Sequence, residues 1–210
     1  MIGSGFIGCE VAAACRGLDL PVTLVAATTT PMARVLGTHL GRIVAAMHED
    51  RGVELRCGDM VELLEGDTDG RVVRAHLAGG DSVQADVVVV ALGAVRNTEW
   101  LDGSGLSAGP EGVDCDAFGN ALDVEGRPDT RIHAAGDVAR FPHPLYDDRR
   151  VAVEHWSHAV AQGEYAGRRI AGCDPEVPYA EMPTFWSTQY GVNIKSVGLT
   201  DGADGLVIEN

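Results

Sequence analysis

The apolar positions of the first sixty residues switch between a helical and a strand period. Residues Phe6 to Arg16 carry Ile7, Val11, Ala14 and Cys15 on one helical face, and Val22 to Val25 is a short β-branched run. Thr38 is placed to cap a helix running to about Arg51, with Gly52 as its stop, and Val53 to Cys57 again reads as a strand. The period then shortens. Met60 to Leu64, Arg71 to Leu77 and Ser82 to Gln84 alternate and are split by Gly66-Asp67, Asp69-Gly70 and Gly79-Gly80, which predicts a small antiparallel meander. Ala85 to Leu92 is almost continuously apolar, the pattern of a strand buried on both faces.

Alternating helix and strand followed by such a run predicts an α/β chain with an open, Rossmann-like sheet between helices in three layers, plus the meander. From Arg96 to Asp129 the sequence is rich in Gly, Asp and Pro and predicts loops. Arg131 to Ala135 reads as a short strand ending at Gly136-Asp137, and Glu154 to Ala171 as a helix with Val160, Tyr165 and Ile170 among its apolar positions. Past Pro175 and Pro178, Thr184 to Trp186 and Val192 to Val197 read as strands.

Composition removes several classes. The 210 residues are 45% apolar and 22% charged, as in an ordinary globular chain. The longest apolar run falls far short of the roughly 20 residues of a membrane span. No secretory leader precedes the first motif, so a cytoplasmic protein with no membrane partner is expected. Sixteen basic against 31 acidic residues give a net charge of −15, which repels phosphate backbones and makes nucleic acid an unsuitable partner. Cys9, Cys15, Cys57, Cys115 and Cys173 are scattered with no C-x-x-C pair, which suits reduced thiols. His155 and His158 stand three apart without a further ligand at metal spacing, so no metal site is expected.

One motif carries chemistry directly. Gly3-Ser4-Gly5-Phe6-Ile7-Gly8 is a G-x-G-x-x-G opening a helix. Its first glycine permits a tight turn, its second lets backbone reach a pyrophosphate, and its third lets helix and strand pack closely. The helix N-terminus presents amides and partial positive charge to the phosphates. A dinucleotide site also wants an acid about 20 residues on, to grip the adenosine ribose. Here the second strand ends Val25-Ala26-Ala27 with threonines following, the carboxylate is missing, and Arg34 is the nearest arginine. NADH and NADPH both remain open.

Five segments in order carry a resemblance: Gly3 to Ala13, Val87 to Leu101, Ile132 to Pro142, Val153 to Trp156 and Pro183 to Tyr190. Together the sequence resembles the NAD(P)H-dependent ferredoxin reductases, FAD enzymes of the pyridine-nucleotide oxidoreductase superfamily that feed oxygenases. The resemblance implies that Gly3, Gly5, Phe6, Ile7 and Gly8 form the NAD(P) pyrophosphate loop, with Glu10 near the nicotinamide. It implies that the turn ending at Gly93 covers the dinucleotide, and that Gly136-Asp137 is the second FAD fingerprint. Glu154, His155 and Trp156 would lie beside the isoalloxazine. Trp186 would sit at the start of the domain where aromatics approach flavin and a [2Fe-2S] ferredoxin-type partner.

The family's N-terminal FAD fingerprint has no counterpart here, so the sequence is expected to be a fragment. It would comprise an NAD(P)-binding domain with a truncated first strand (1–97), the remainder of the FAD domain (98–173) and the start of the interface domain (174–210). The function implied is passage of electrons from NAD(P)H through FAD to ferredoxin, with no side chain acting as acid or base. The alternative is a catalytically silent nicotinamide-nucleotide-binding module. A short-chain dehydrogenase fails for want of Tyr-x-x-x-Lys: Tyr165 is followed by Arg169 and Tyr190 by Ile194.

Overall fold

A computed structural model describes residues 1–173, 177–200 and 207. The chain divides into two compact units, one of Met1–Gly93, Trp186–Ile194 and Leu199–Asn210, the other of Ala94–Phe185 and Lys195–Gly198.

In the first unit, α1 (Phe6–Gly17) leads to β1 (Val22–Ala26), α2 (Ala33–Glu49) and β2 (Val53–Cys57). Strands β1 and β2 pair in parallel, Val22 opposite Val53 through Ala26 opposite Cys57. Ile2 stands on the other side of β1 and bridges both Val25 and Val90 in parallel sense. The Val25 amide donates to the Met1 carbonyl (2.9 Å), Gly3 N–H to the Val25 carbonyl (2.8 Å) and Ala91 N–H to the Ile2 carbonyl (2.7 Å). Two residues therefore do the work of a central strand. The meander follows as β3 (Val61–Gly66), β4 (Val72–Leu77) and β5 (Ser82–Gln84), an antiparallel sheet in that order.

Two expectations are corrected here. Ala85 to Leu92 is not a strand buried on both faces: among the described residues its one bridge is at Val90, and Val87 is 76% exposed. Val87, Val88 and Val89 instead line a groove of about 390 Å³ together with Met1, Pro21, Val22 and Val25. Helix α2 is two helices joined at Gly37 (φ 73°, ψ 169°): a short one from Ala33, which the sequence pattern does not show, and the longer one that begins at Thr38 as expected and ends at Glu49. The face that α1 buries consists of Gly8, Cys9, Ala12 and Ala13, while Ile7 is 65% exposed. Small residues win that face because the helix lies too close to the sheet for larger ones.

The second unit holds β6 (Ala108–Gly109), β7 (Gly112–Asp114), β8 (Asn120–Leu122), β9 (Pro128–His133), β10 (Ala139–His143), β11 (Arg149–Val151) and α3 (Trp156–Ile170). Strands β11, β10, β7 and β6 make one sheet in that order, and β8 pairs with β9. The region expected to be loops thus contains strands of two or three residues, too short to show a period. Asp side chains close the turns between them. Asp116 accepts from the amides of Phe118 and Asn120 (both 2.9 Å), and Asp123 from those of Glu125 and Arg127 (3.0 and 2.8 Å).

This unit's core is aromatic and polar together. Phe141 stacks on His158 at 5.6 Å and 10°, and Tyr179 meets both edgewise. Helix α3 buries His158, Gln162 and Ala166, whereas Val160 and Ile170 are exposed. Strands β12 (Thr184–Gln189) and β13 (Val192–Val197) pair as a hairpin.

Candidate functional site

The glycine turn of the first unit separates three roles. Gly3 has φ +100°, and a Cβ there would lie 2.2 Å from the Ala91 carbonyl oxygen. A Cβ at Gly8 would lie 2.0 Å from the Gly3 carbonyl oxygen, so the third glycine lets α1 close onto the turn. Gly5 is the N-cap of α1 and exposed, and a Cβ there would meet nothing within 4 Å. Its backbone faces open space, as a docked pyrophosphate requires. The intrahelical ladder starts with Cys9 N–H to the Gly5 carbonyl (3.0 Å), so the first-turn amides, with Phe6 and Ile7 among them, precede it.

Polar contacts brace the turn. Ser4 Oγ lies 3.2 Å from Thr28 Oγ1, Thr28 Oγ1 donates to the Thr30 carbonyl (2.9 Å), and the Met32 amide donates to the Ser4 carbonyl (2.8 Å). Ala26, at the position of the missing ribose-gripping acid, is buried at the end of β1, and Arg34 is exposed in the first turn of α2. Gly93 is exposed with φ +95° just after Ala91, whose backbone Gly3 abuts. Glu10, in α1, is half-buried, and its Oε1 accepts from Ser187 Oγ at 2.7 Å.

The second unit gathers another group. Gly136 (φ +77°) opens a short 3₁₀ turn after β9, and its amide donates to Gln162 Oε1 (2.8 Å). That amide is therefore taken, while the Asp137 side chain is exposed and makes no hydrogen bond among the described residues. Arg96 ties the group together, donating from Nε to the Asp137 carbonyl (2.6 Å) and from Nη2 to Glu154 Oε1 (2.7 Å). His155 is the extended N-cap of α3 and packs against Phe185 at 5.3 Å. Burial lowers its pKa, opposed by the carboxylates of Asp137 and Glu154. Trp156 is 79% exposed in the first turn of α3, and Trp186 is half-exposed on β12.

Sequence reading missed Arg96, Ser187, Gln189 and His48. The available signal was period two along β12: Phe185, Ser187 and Gln189 are buried while Trp186 and Thr188 face out. Two polar residues at strand-core positions are the kind of exception that marks a network. Among the described residues no cluster of His, Cys, Asp or Glu is placed to hold a metal, and no helix is long and apolar enough to cross a membrane.

A glycine turn joining a parallel strand to a helix N-terminus, with the spaces and contacts above, defines a dinucleotide-binding α/β protein. Residues 1–163 match the pyridine nucleotide-disulphide oxidoreductase family, and the chain belongs to that family of FAD- and NAD(P)H-using oxidoreductases. It is 36% identical over 208 residues to rhodocoxin reductase of Rhodococcus erythropolis, covering 99% of this chain and 46% of the relative. The ferredoxin reductase for the CYP199A2 system of Rhodopseudomonas palustris superposes with a TM-score of 0.89 at 30% identity, covering 100% of this chain and 49% of that one. Putidaredoxin reductase in its covalent complex with putidaredoxin superposes with a TM-score of 0.86 at 32% identity, over 97% of this chain and 47% of that one. The chain spans about half the length of the curated relatives it matches.

Proposed function

We propose that this chain binds NAD(P)H at the Gly3–Gly8 turn and contributes the Gly136–Trp156 face of a flavin site, in a cytoplasmic reductase that delivers electrons to a [2Fe-2S] ferredoxin-type acceptor. The observation that carries the reading is the division of labour among the three glycines: two exclude a Cβ by backbone contact, and Gly5 alone leaves the backbone open. Bound FAD would supply the chemistry, taking a hydride from the nicotinamide and releasing single electrons.

The chain's own residues bind and orient. The N-terminus of α1 directs its amides and partial positive charge at the pyrophosphate. Glu10 lies one turn further on in α1, where its carboxylate would meet the nicotinamide end of the dinucleotide. Asp137 offers its uncommitted carboxylate to ribityl hydroxyls, and Arg96 fixes Glu154 beside it. The α3 ladder starts with Ala159 N–H to the His155 carbonyl (2.9 Å), and the helix N-terminus ahead of it would offer its partial positive charge to the ring edge of a bound flavin. Trp156 is an exposed flat apolar surface suited to the ring. The relatives' names support the acceptor class: one is a rhodocoxin reductase, and another is putidaredoxin reductase in covalent complex with putidaredoxin.

Calorimetry of NADH and NADPH binding to the 210-residue chain tests the nucleotide half. Gly5→Val should leave the fold intact and lower affinity for both by about tenfold or more, since a side chain would occupy the pyrophosphate's place. Equal affinity in the variant would show that the turn binds no nucleotide.

A further inference from the structure

A hydrogen-bonded chain crosses the first unit from the hairpin tip to Glu10. The Tyr190 hydroxyl lies 2.9 Å from His48 Nδ1, and His48 Nε2 lies 2.9 Å from Gln189 Oε1. Gln189 Nε2 donates to Ser187 Oγ (3.0 Å) and to Met32 Sδ (3.3 Å), and Ser187 Oγ donates to Glu10 Oε1 (2.7 Å). His48, Ser187 and Gln189 have no exposed surface.

The directions follow from the inventory of donors. Both amide hydrogens of Gln189 are committed to Ser187 and Met32, so its oxygen faces His48. Only an imidazole protonated at Nε2 can donate to that oxygen, which leaves Nδ1 as an acceptor and the Tyr190 hydroxyl as its donor. Burial pushes the His48 pKa down, the bond to Gln189 opposes this and the nearby Arg51 charge adds to it, a balance that favours the neutral ring. Every donor then points towards Glu10. The Ser187 hydroxyl, accepting from Gln189, has its proton fixed on the carboxylate, and alignment of successive bonds strengthens each of them. Glu10 Oε1 is thereby occupied, while Oε2 makes no hydrogen bond among the described residues.

We propose that Ser187 and Gln189 are positioning residues for nicotinamide recognition, locking the Glu10 carboxylate so that Oε2 accepts from the carboxamide N–H of NAD(P)H. This rests on the nucleotide reading above, and it adds residues from a strand far along the chain to the turn at its beginning. Ser187 touches no substrate in this scheme. It acts only through Glu10.

The test compares three ligands by calorimetry on the full chain: NAD⁺, its acetylpyridine analogue, whose ketone lacks amide hydrogens, and ADP-ribose, which lacks the nicotinamide. Ser187→Ala should weaken NAD⁺ by roughly fivefold, the cost of one hydrogen bond, and leave the other two unchanged. Ser187→Thr should restore NAD⁺ binding. A purely structural Ser187 would lower NAD⁺ and ADP-ribose by the same factor, and either that result or no change at all overturns the proposal. Should Ser187→Ala unfold, Tyr190→Phe removes only the first donor and must give the same ligand pattern at smaller size. Nitrogen chemical shifts of His48 provide a second reading, and an Nδ1-protonated ring would overturn the donor order. Failure of the wild-type chain to bind either NAD⁺ or ADP-ribose removes the nucleotide reading itself, which the ligand comparison keeps apart from the role of Ser187.

Discussion

At Gly3 two restrictions coincide, a positive φ and a carbonyl oxygen where a Cβ would stand. Gly3→Ala therefore adds the left-handed penalty to an overlap with backbone that cannot swing away, and should cost more than about 2 kcal/mol. Gly5→Ala has neither problem and should stay within about 1 kcal/mol of the parent, read as urea midpoints. The cysteines divide in the same local way. Burial pushes the thiols of Cys9 and Cys115 up to about 12, with neighbouring Cys57 and Glu10 adding at Cys9 and the Arg140 backbone opposing at Cys115. Cys173 is exposed. A colorimetric thiol assay at pH 8 should therefore consume Cys173 rapidly and leave Cys9 and Cys115 untouched until denaturant is added. The glycine pattern was legible in the sequence because each glycine answers a constraint within a few positions or at one crossing strand. Ser187 was not, because its partner lies 177 positions away.

Among the elements, a sustained period marks where a helix or hairpin stands, although in α1 it does not mark the face that is buried. The meander appears at β3, β4 and β5, and α1 and α3 lie within a residue or two of their expected limits. Ala85 to Leu92 was misread because an apolar run records what its faces are made of and carries no record of what covers them. Val87→Thr tests this directly: at an exposed position the change should stay within about 0.5 kcal/mol, whereas a doubly buried strand would lose far more. The β12–β13 turn holds Tyr190 (φ 53°) and Gly191 (φ 79°), both left-handed, as a two-residue hairpin of the primed type demands. A tyrosine is a poor occupant of that conformation, and its bond to His48 and the Arg51 guanidinium 4.5 Å above its ring hold it there. In α3, burial lowers the His158 pKa from 6.5 to about 4, with the Gln162 bond opposing. A base depressed in the folded state gives stability that is complete above pH 6.5 and lost as pH falls towards 4, since the unfolded chain takes the proton first. His158→Gln should flatten the fall of the urea midpoint across that window relative to the parent.

Over the whole molecule the three tryptophans share one property. Trp100 is 77% exposed, Trp156 79% and Trp186 52%, and the large buried side chains are Phe141, Leu24, His48, His143 and Gln162 instead. Indole emission responds to the polarity around the ring, so the folded chain should already emit as an indole in water does. Denaturation would then move the emission maximum little, although circular dichroism reports a full transition at the same urea concentration. A large shift to the red on unfolding would place at least one tryptophan in an apolar surrounding. The same optics invert when something lies on the rings. A flavin or a protein covering Trp156 or Trp186 would quench or blue-shift light that unfolding leaves nearly unchanged, which makes the intrinsic colour of this chain a gauge of occupancy rather than of folding.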